Sequence, residues 1–476
     1  MPEQPPPRMS DLEALMWTLE KDPAFSSAFA NLTILDRPPD IERLMRRLDS
    51  ATHEVPRLRQ RVIPAFGRLA PPAWRADPDF DITYHIRRVA LIGGTRRELF
   101  DYVAKSCLDP FDRSRPLWEF VVIEGLEGGK AALLQRIHHT ITDGEGGVRM
   151  SEQFIDLERD PSGETRGDAG DDGTAAADRA TSGTAVLSST AAPSLVETLA
   201  DTVTHRARRG LGILARTASS TADAVVHPNR TIDYSRDLAS TTRSLLKQVR
   251  LTQSSLSPMW GERSLRRHFD ALEVPFDGAK RAAKALGGSL NDFFVAGAAG
   301  GAGRYHAARG QPVQELRMAM PVSIRTDKSA GGNRFSPTTV VVPSTVDDPR
   351  SRFERIHEIL DVTKHDKALD LVEGLSGAFL VLPTLVLIPT ARRMTGGIDF
   401  TTSNVRAAPF EVYIAGSLVE ANYPVGPLGG TAFNLTMMSY RGQLQMGLNT
   451  DAGAIDEPDL LRDCIEDSYR ELIELA

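Results

Sequence analysis

His138-His139-Thr140-Ile141-Thr142-Asp143-Gly144 follows directly on an apolar, strand-like run at 131–137, and the rest of the chain is read outward from it. A second strand-like run at 117–124 precedes it, separated by Gly125 and the turn pair Gly128-Gly129. The two runs predict a hairpin that delivers the histidines onto a connecting loop. Loops held by a rigid scaffold often carry reactive groups. Imidazole, with an ordinary pKa near 6.5, accepts a proton at neutral pH and returns it within one turnover. Two adjacent histidines alone are compatible with hydrogen-bonded structure and nothing more. The Asp143-Gly144 pair at its fixed spacing turns the reading towards chemistry. Gly144, with Gly146-Gly147, permits close backbone approach where the loop enters its next helix. Asp143 reads as folded onto backbone or a nearby arginine, a structural role, rather than as the third member of a hydrolase triad.

Rival chemistries lack their own signatures. No His-Glu-x-x-His or third ligand at a recognisable spacing accompanies the pair, so no metal is expected. No Gly-x-Ser-x-Gly elbow occurs, and neither Cys107 nor Cys464 adjoins a histidine, which argues against a covalent intermediate. The two cysteines, without Cys-x-x-Cys spacing, suit a reducing compartment and read as buried thiols.

At 476 residues the chain is too long for one small core, and two packed domains are expected. Apolar residues make up 41% and charged residues 25%, which argues against both a membrane-spanning and a disordered chain. A net charge of -7 excludes a general nucleic-acid surface. Residues 1–8 are proline-rich without the apolar run of a signal peptide. The most apolar stretch, 378–389, falls short of the roughly 20 residues needed to span a bilayer, so it reads as a core or interfacial helix.

Helix and strand periods alternate along the chain. Ser10-Asp11 can cap a helix carrying Leu12, Leu15, Met16 and Leu19; 41–48 repeats the helical period; 80–86 alternates like a strand. Residues 160–193 are rich in Gly, Ala, Ser, Thr and Asp and read as a flexible linker. Leu195, Leu199, Val203, Leu211 and Leu214, beside five basic residues, then predict a basic amphipathic helix, packed on the domain or facing an anionic lipid surface. Beyond 261, strand-like stretches are expected at 317–324, 338–342, 410–414, 432–439 and 444–448, with helices at 279–286, after Ser289, and at 460–475. The resulting fold class is α/β (α+β) with mixed sheets. The domain bounds are 1–158, a disordered linker at 159–193, a basic helical connector at 194–260, and a second domain at 261–476.

Several segments together resemble the bacterial wax ester synthase/diacylglycerol acyltransferase family. They are Val55-Pro56-Arg57-Leu58-Arg59-Gln60-Arg61-Val62, Asp79-Phe80-Asp81-Ile82-Thr83-Tyr84-His85 and Arg115-Pro116-Leu117-Trp118-Glu119 in the first half. In the second half they are Gly288-Ser289-Leu290-Asn291-Asp292, Pro321-Val322-Ser323-Ile324-Arg325, Gly332-Asn333, Ser403-Asn404-Val405 and Tyr423-Pro424-Val425-Gly426-Pro427. The histidine loop by itself is shared by CoA-dependent acyltransferases and peptide-synthetase condensation domains.

The resemblance implies two chloramphenicol-acetyltransferase-like domains with a substrate tunnel between them. It implies acyl-CoA as co-substrate entering from one side and a lipid alcohol from the other, His139 as general base, and no metal or bound organic cofactor. Carried over by motif, His138, Asp143 and Gly144 complete the catalytic loop. Pro116, Leu117 and Trp118 would line the channel, Asn291, Asp292, Ser403 and Asn404 would lie near substrate, and Arg325 would be the partner of Asp143. For Trp118 a plain core aromatic, and for Asn291-Asp292 a helix-capping pair, are the alternatives. The product would be triacylglycerol or wax ester, in the cytoplasm or peripherally on the inner membrane or lipid inclusions. A polyketide, glycolipid or carrier-bound acceptor, and a lipid-binding protein without turnover, are the competing expectations. One departure stands out: Asn404-Val405-Arg406-Ala407-Ala408-Pro409 replaces the family's Asn-Val-Pro-Gly-Pro, which leaves acceptor choice open.

Overall fold

The computed structural model describes residues 7–65, 70–142, 144–161, 255–323, 335–345, 348–364, 380, 382–408 and 410–476. Two mixed sheets organise them, with the order β4-β5-β6-β1-β13-β12-β7 in one and β10-β9-β11-β14-β15-β8 in the other. The first contains β1 (Ala28–Leu35), β4 (Ile86–Ala90), β5 (Trp118–Glu124), β6 (Ala131–His138), β7 (Ile155–Asp156), β12 (Tyr413–Ile414) and β13 (Ser417–Val425). The second contains β8 (Arg267–Pro275), β9 (Glu315–Ser323), β10 (Phe335–Pro343), β11 (Phe400–Arg406), β14 (Phe433–Tyr440) and β15 (Gln443–Asp451). A small antiparallel pair, β2 (Gln60–Ile63) and β3 (Ala73–Ala76), completes the set. This is the α/β architecture expected, with mixed sheets in two halves.

One segment crosses the expected domain boundary. β13 leaves the second half and pairs antiparallel with β1, setting Asn31 opposite Pro424 and Thr33 opposite Asn422. The first sheet therefore closes only with strands supplied by residues 413–425. Arg96 and Arg97, on the helix Arg96–Ser106, donate to the carbonyls of Ala271 and Phe269 on β8 and tie the halves together again.

Local chemistry sets the element ends. Ser10 Oγ accepts from Glu13 N–H while the Glu13 carboxylate accepts from Ser10 N–H, a full capping box on the helix Asp11–Leu19. Residues 82–85, expected in a strand, form a short helical turn instead. Asp81 accepts from Thr83 N–H at 2.9 Å and turns the chain before β4 begins at Ile86. Of the strand expected at 410–414, only Tyr413–Ile414 pairs. In the second half, the helix Leu290–Ala308 is built from small residues because the helix Pro458–Glu474 lies directly on it. A Cβ on Gly301 would sit 2.5 Å from Ile465 Cα. The linker at 159–193 and the basic connector at 194–260 lie outside the described residues except at 159–161 and 255–260. Among the described residues, no helix is long and apolar enough to cross a membrane. The apolar stretch at 378–389 contributes the start of the helix Thr384–Gly396, which buries Leu387 and exposes Leu385 and Val386.

Candidate active site

A cavity of about 830 Å³ lies between the two sheets. Its walls come from β1, β6 and β13 on one side and β9, β11 and β14 on the other, with the helices Asp11–Leu19 and Gly144–Ser151 at its edges. His139 lines it. His138 ends β6 and is fully buried, and strand alternation carries the two rings to opposite faces.

The surroundings of His138 are fully specified. Its Nδ1 accepts from Thr140 N–H at 3.1 Å, so the ring proton sits on Nε2 and is donated to Glu20 at 3.0 Å. Trp17 and Phe111 approach the ring edge-on. Burial raises the pKa of Glu20, but the hydrogen bond and charge of His138, Ser27 N–H and Arg113 outweigh it, and the carboxylate is held below its ordinary value. Ser27 N–H donates to the same carboxylate at 3.2 Å, and the Ser27 carbonyl accepts from His139 N–H at 2.9 Å. Glu20 thus braces both histidines, one through its ring and the other through its backbone.

His139 has a different setting. Phe29 packs against its ring with centroids 4.6 Å apart. Burial, helped by the like charge of His138, drives its pKa down to about 3, so the imidazole is neutral at physiological pH. Behind the loop, Arg57 donates to the Thr140 carbonyl at 2.6 Å and to Glu13 at 2.7 Å. The Val55 to Val62 segment therefore supplies a clamp for the loop. Gly147, on the helix that follows, lies close enough to Phe29 that a Cβ there would be 3.4 Å from its ring. Gly144 opens that helix. Asp143 and Arg325 lie outside the described residues, as does the bond expected between them.

The remaining expected site residues divide. Ser403 and Asn404, on β11, line the cavity. Asn291 does not; it is reached only through Asn404 Nδ2, 3.5 Å from its Oδ1. Asp292 is fully buried, accepts from Ser289 N–H at 2.7 Å as part of a capping box, and faces His357 Nδ1 at 2.8 Å. Its place is at the helix N-terminus and not on the cavity wall. Pro116, Leu117 and Trp118 are also corrected: all three are buried away from the cavity. Trp118 stacks on His85 with centroids 4.4 Å apart and donates its indole N–H to the Leu58 carbonyl. Leu117 contributes its carbonyl, which accepts from His138 N–H at 3.0 Å. This segment supports the histidine loop from behind. Burial pushes the thiols of Cys107 and Cys464 up to about 11, so neither is a thiolate at neutral pH.

Sequence reasoning misses Glu20, Ser27 and Phe29. Glu20 lies 118 residues from His138 with no local pattern to mark it. It also misses a polar group on the cavity wall, Asn31, Thr33, Gln135 and Asn422, for which a signal existed. Polar side chains interrupt the apolar runs of β1 and β6 at inward positions.

Two facing mixed sheets with a histidine loop at their seam define the acyltransferase and condensation-domain fold. Solved structures that share it include the wax ester synthase/diacylglycerol acyltransferase from Marinobacter aquaeolei VT8, with a TM-score of 0.61 at 20% identity over 98% of both chains. The first condensation domain of the calcium-dependent antibiotic synthetase follows at 0.60 and 15% identity, over 99% of this chain and 96% of that one. Residues 9–294 match the wax ester synthase/diacylglycerol acyltransferase catalytic domain, and residues 331–473 match the C-terminal domain of the same family. A Mycobacterium tuberculosis protein described as "Putative diacyglycerol O-acyltransferase" is 31% identical over 99% of this chain and 93% of its own. Another of that description and species is 26% identical over 98% and 97%. The chain belongs to the wax ester synthase/diacylglycerol acyltransferase family and is an acyltransferase.

Proposed function

We propose that the protein transfers a long-chain acyl group from acyl-CoA to the hydroxyl of a lipid alcohol, diacylglycerol or a long-chain fatty alcohol, giving triacylglycerol or wax ester. The observation that carries this reading is His139, neutral and set on the wall of a large, mainly apolar cavity between two sheets. Its Nδ1 is buried, so we assign the base to Nε2. The acceptor hydroxyl gives its proton to Nε2 as its oxygen attacks the thioester carbonyl. The C–S bond then breaks and the departing CoA thiolate takes that proton back, so one residue serves both steps. A pKa near 3 makes the imidazole a weak base at rest. A hydroxyl donating to it, and the negative charge growing on the carbonyl oxygen, raise its proton affinity as the reaction proceeds. We assign the steadying of that oxygen to Ser403 and Asn404, which line the same cavity as His139, with Asn291 3.5 Å from Asn404. Neither metal nor organic cofactor has a part in this scheme.

Peripheral contact of a cytoplasmic enzyme with a membrane or lipid-inclusion surface is part of the same proposal. Leu385 and Val386 are exposed on the helix whose far end brings Thr395 to the cavity. The test is direct. Purified protein receives palmitoyl-CoA with fatty alcohols, diacylglycerol or monoacylglycerol, and free thiol and lipid products are followed. The expected result is acceptor-dependent thiol release with a matching ester. Turnover only with a carrier-bound or polyketide acceptor, or none with any pair, would overturn it.

A further inference from the structure

The cavity wall is not uniformly apolar, and its polar part has a defined place. On the face of the first sheet that carries His139, strand register stacks side chains in rows. Phe29 lies opposite Ile137, the next row sets Gln135, Asn31 and Pro424 side by side, and the row beyond sets Leu133, Thr33 and Asn422 side by side. Leu35 and Val419 close this face with apolar groups again. A band of four uncharged polar side chains thus crosses three strands, with apolar rows on either side.

The band is only partly satisfied by itself. Thr33 Oγ1 accepts from Asn31 Nδ2 at 3.0 Å and Gln135 Nε2 at 3.3 Å, and donates to Asn422 Oδ1 at 2.8 Å. Asn31 Nδ2 also donates to Asn422 Oδ1 at 3.0 Å. Thr33 is the hub and has no capacity left. Two groups on the cavity wall remain without a hydrogen bond among the described residues, Gln135 Oε1 and Asn422 Nδ2, while Asn31 Oδ1 is buried away from the cavity. Leaving such groups unpaired when a hydrocarbon chain fills the cavity is unfavourable, because each loses its hydrogen bonds to water and gains none. A wall intended only for methylenes would carry Leu or Val here, as the adjoining rows do. One acceptor and one donor match a hydroxyl, which gives one hydrogen bond and receives another.

Position sets where that oxygen lies. At roughly 3.3 Å per residue the four steps from His139 to Gln135 span about 13 Å, the length of about ten extended methylenes. We propose that the cavity is selective for a chain bearing a hydroxyl about ten carbons from the reacting centre, held by Gln135 and Asn422. This rests on the acyl transfer at His139 proposed above and names its substrate class more narrowly. The oxygenated chain can enter as the acyl group or as the alcohol, and the two are separable.

Three pairs decide it, each read as kcat/KM: stearoyl-CoA with octadecanol, 10-hydroxystearoyl-CoA with octadecanol, and stearoyl-CoA with 1,10-octadecanediol. The expected result is a preference of tenfold or more for one hydroxylated pair over the plain pair, which also identifies the source. In Gln135→Met and Asn422→Leu the ratio should fall towards one. Equal use of all three pairs, or a ratio unmoved in both variants, overturns the inference while leaving acyl transfer standing. Equilibrium dialysis of the His139→Ala protein against the same four lipids gives a readout without turnover. Equal retention of hydroxylated and plain chains there overturns the inference even if no pair reacts, and tighter retention of one hydroxylated chain supports it independently of the chemistry.

Discussion

The pocket around His138 and the pocket around His139 belong to adjacent residues and differ in almost every physical respect. On one side of β6 the imidazole is fully enclosed, its tautomer set by Thr140 N–H, its proton given to an ionised Glu20, and its edges packed by Trp17 and Phe111. On the other side, the next imidazole rests on Phe29 and borders an open cavity, kept neutral by burial. The same side chain becomes an anchor or a base according to what surrounds it, and a strand's alternation is enough to separate the two roles.

Substitutions can break this division of labour. The largest effect on rate is expected from His139→Ala: general-base removal should lower acyl transfer by roughly 10²–10⁴-fold, with unfolding by urea unchanged or slightly harder. A loss of less than tenfold in thiol release would mean that the base lies elsewhere. His138→Ala should do the reverse. It leaves the part-buried Glu20 carboxylate without its charge-assisted partner and should cost about 2–4 kcal/mol in urea unfolding. Glu20→Gln, which keeps a hydrogen-bond acceptor, should cost less than His138→Ala. If His138→Ala were as stable as the parent, the anchor reading would fail.

A smaller effect separates the two histidines by pH. The folded pKa of His139 is depressed to about 3, against about 6.5 in an unfolded chain. The unfolded state then binds the extra proton between these values, so this histidine's contribution to stability is fully present above pH 6.5 and lost progressively as pH falls towards 3. Unfolding free energy should therefore decline less steeply over that window in His139→Gln than in the parent. In parallel, kcat/KM should pass through pH 6.5 without the inflection of an ordinary histidine. An inflection there would show that His139 titrates unshifted.

Much of the architecture was legible in the sequence, for identifiable reasons. The capping box at Ser10 and Glu13, the hairpin of β5 and β6, and the helices after Ser289 and at the C-terminus all depend on contacts close in sequence. What failed depends on partners far away. Residues 80–86 alternate because His85 turns inward to stack on Trp118, not because they pair as a strand, and Asp81 bends the chain first. Trp118, expected at the channel, spends its indole on the Leu58 carbonyl. Glu20 and the insertion of β13 beside β1 could not be seen from local pattern. The polar band could have been, had Asn31, Thr33 and Gln135 been weighed as polar positions on an inward face.

The placement of β13 bears on how the protein is made. β1 has β6 on one side as soon as residue 138 is synthesised, while its other edge waits for residues 417–425. At ~5–20 residues per second that delay is on the order of tens of seconds. Throughout it the growing chain exposes an unpaired strand edge carrying the future cavity wall, the kind of edge that recruits other chains. Assembly of the catalytic loop's own sheet is thus postponed until nearly the whole polypeptide has emerged, and a nascent chain cut short before residue 417 would carry both histidines on a sheet that cannot close.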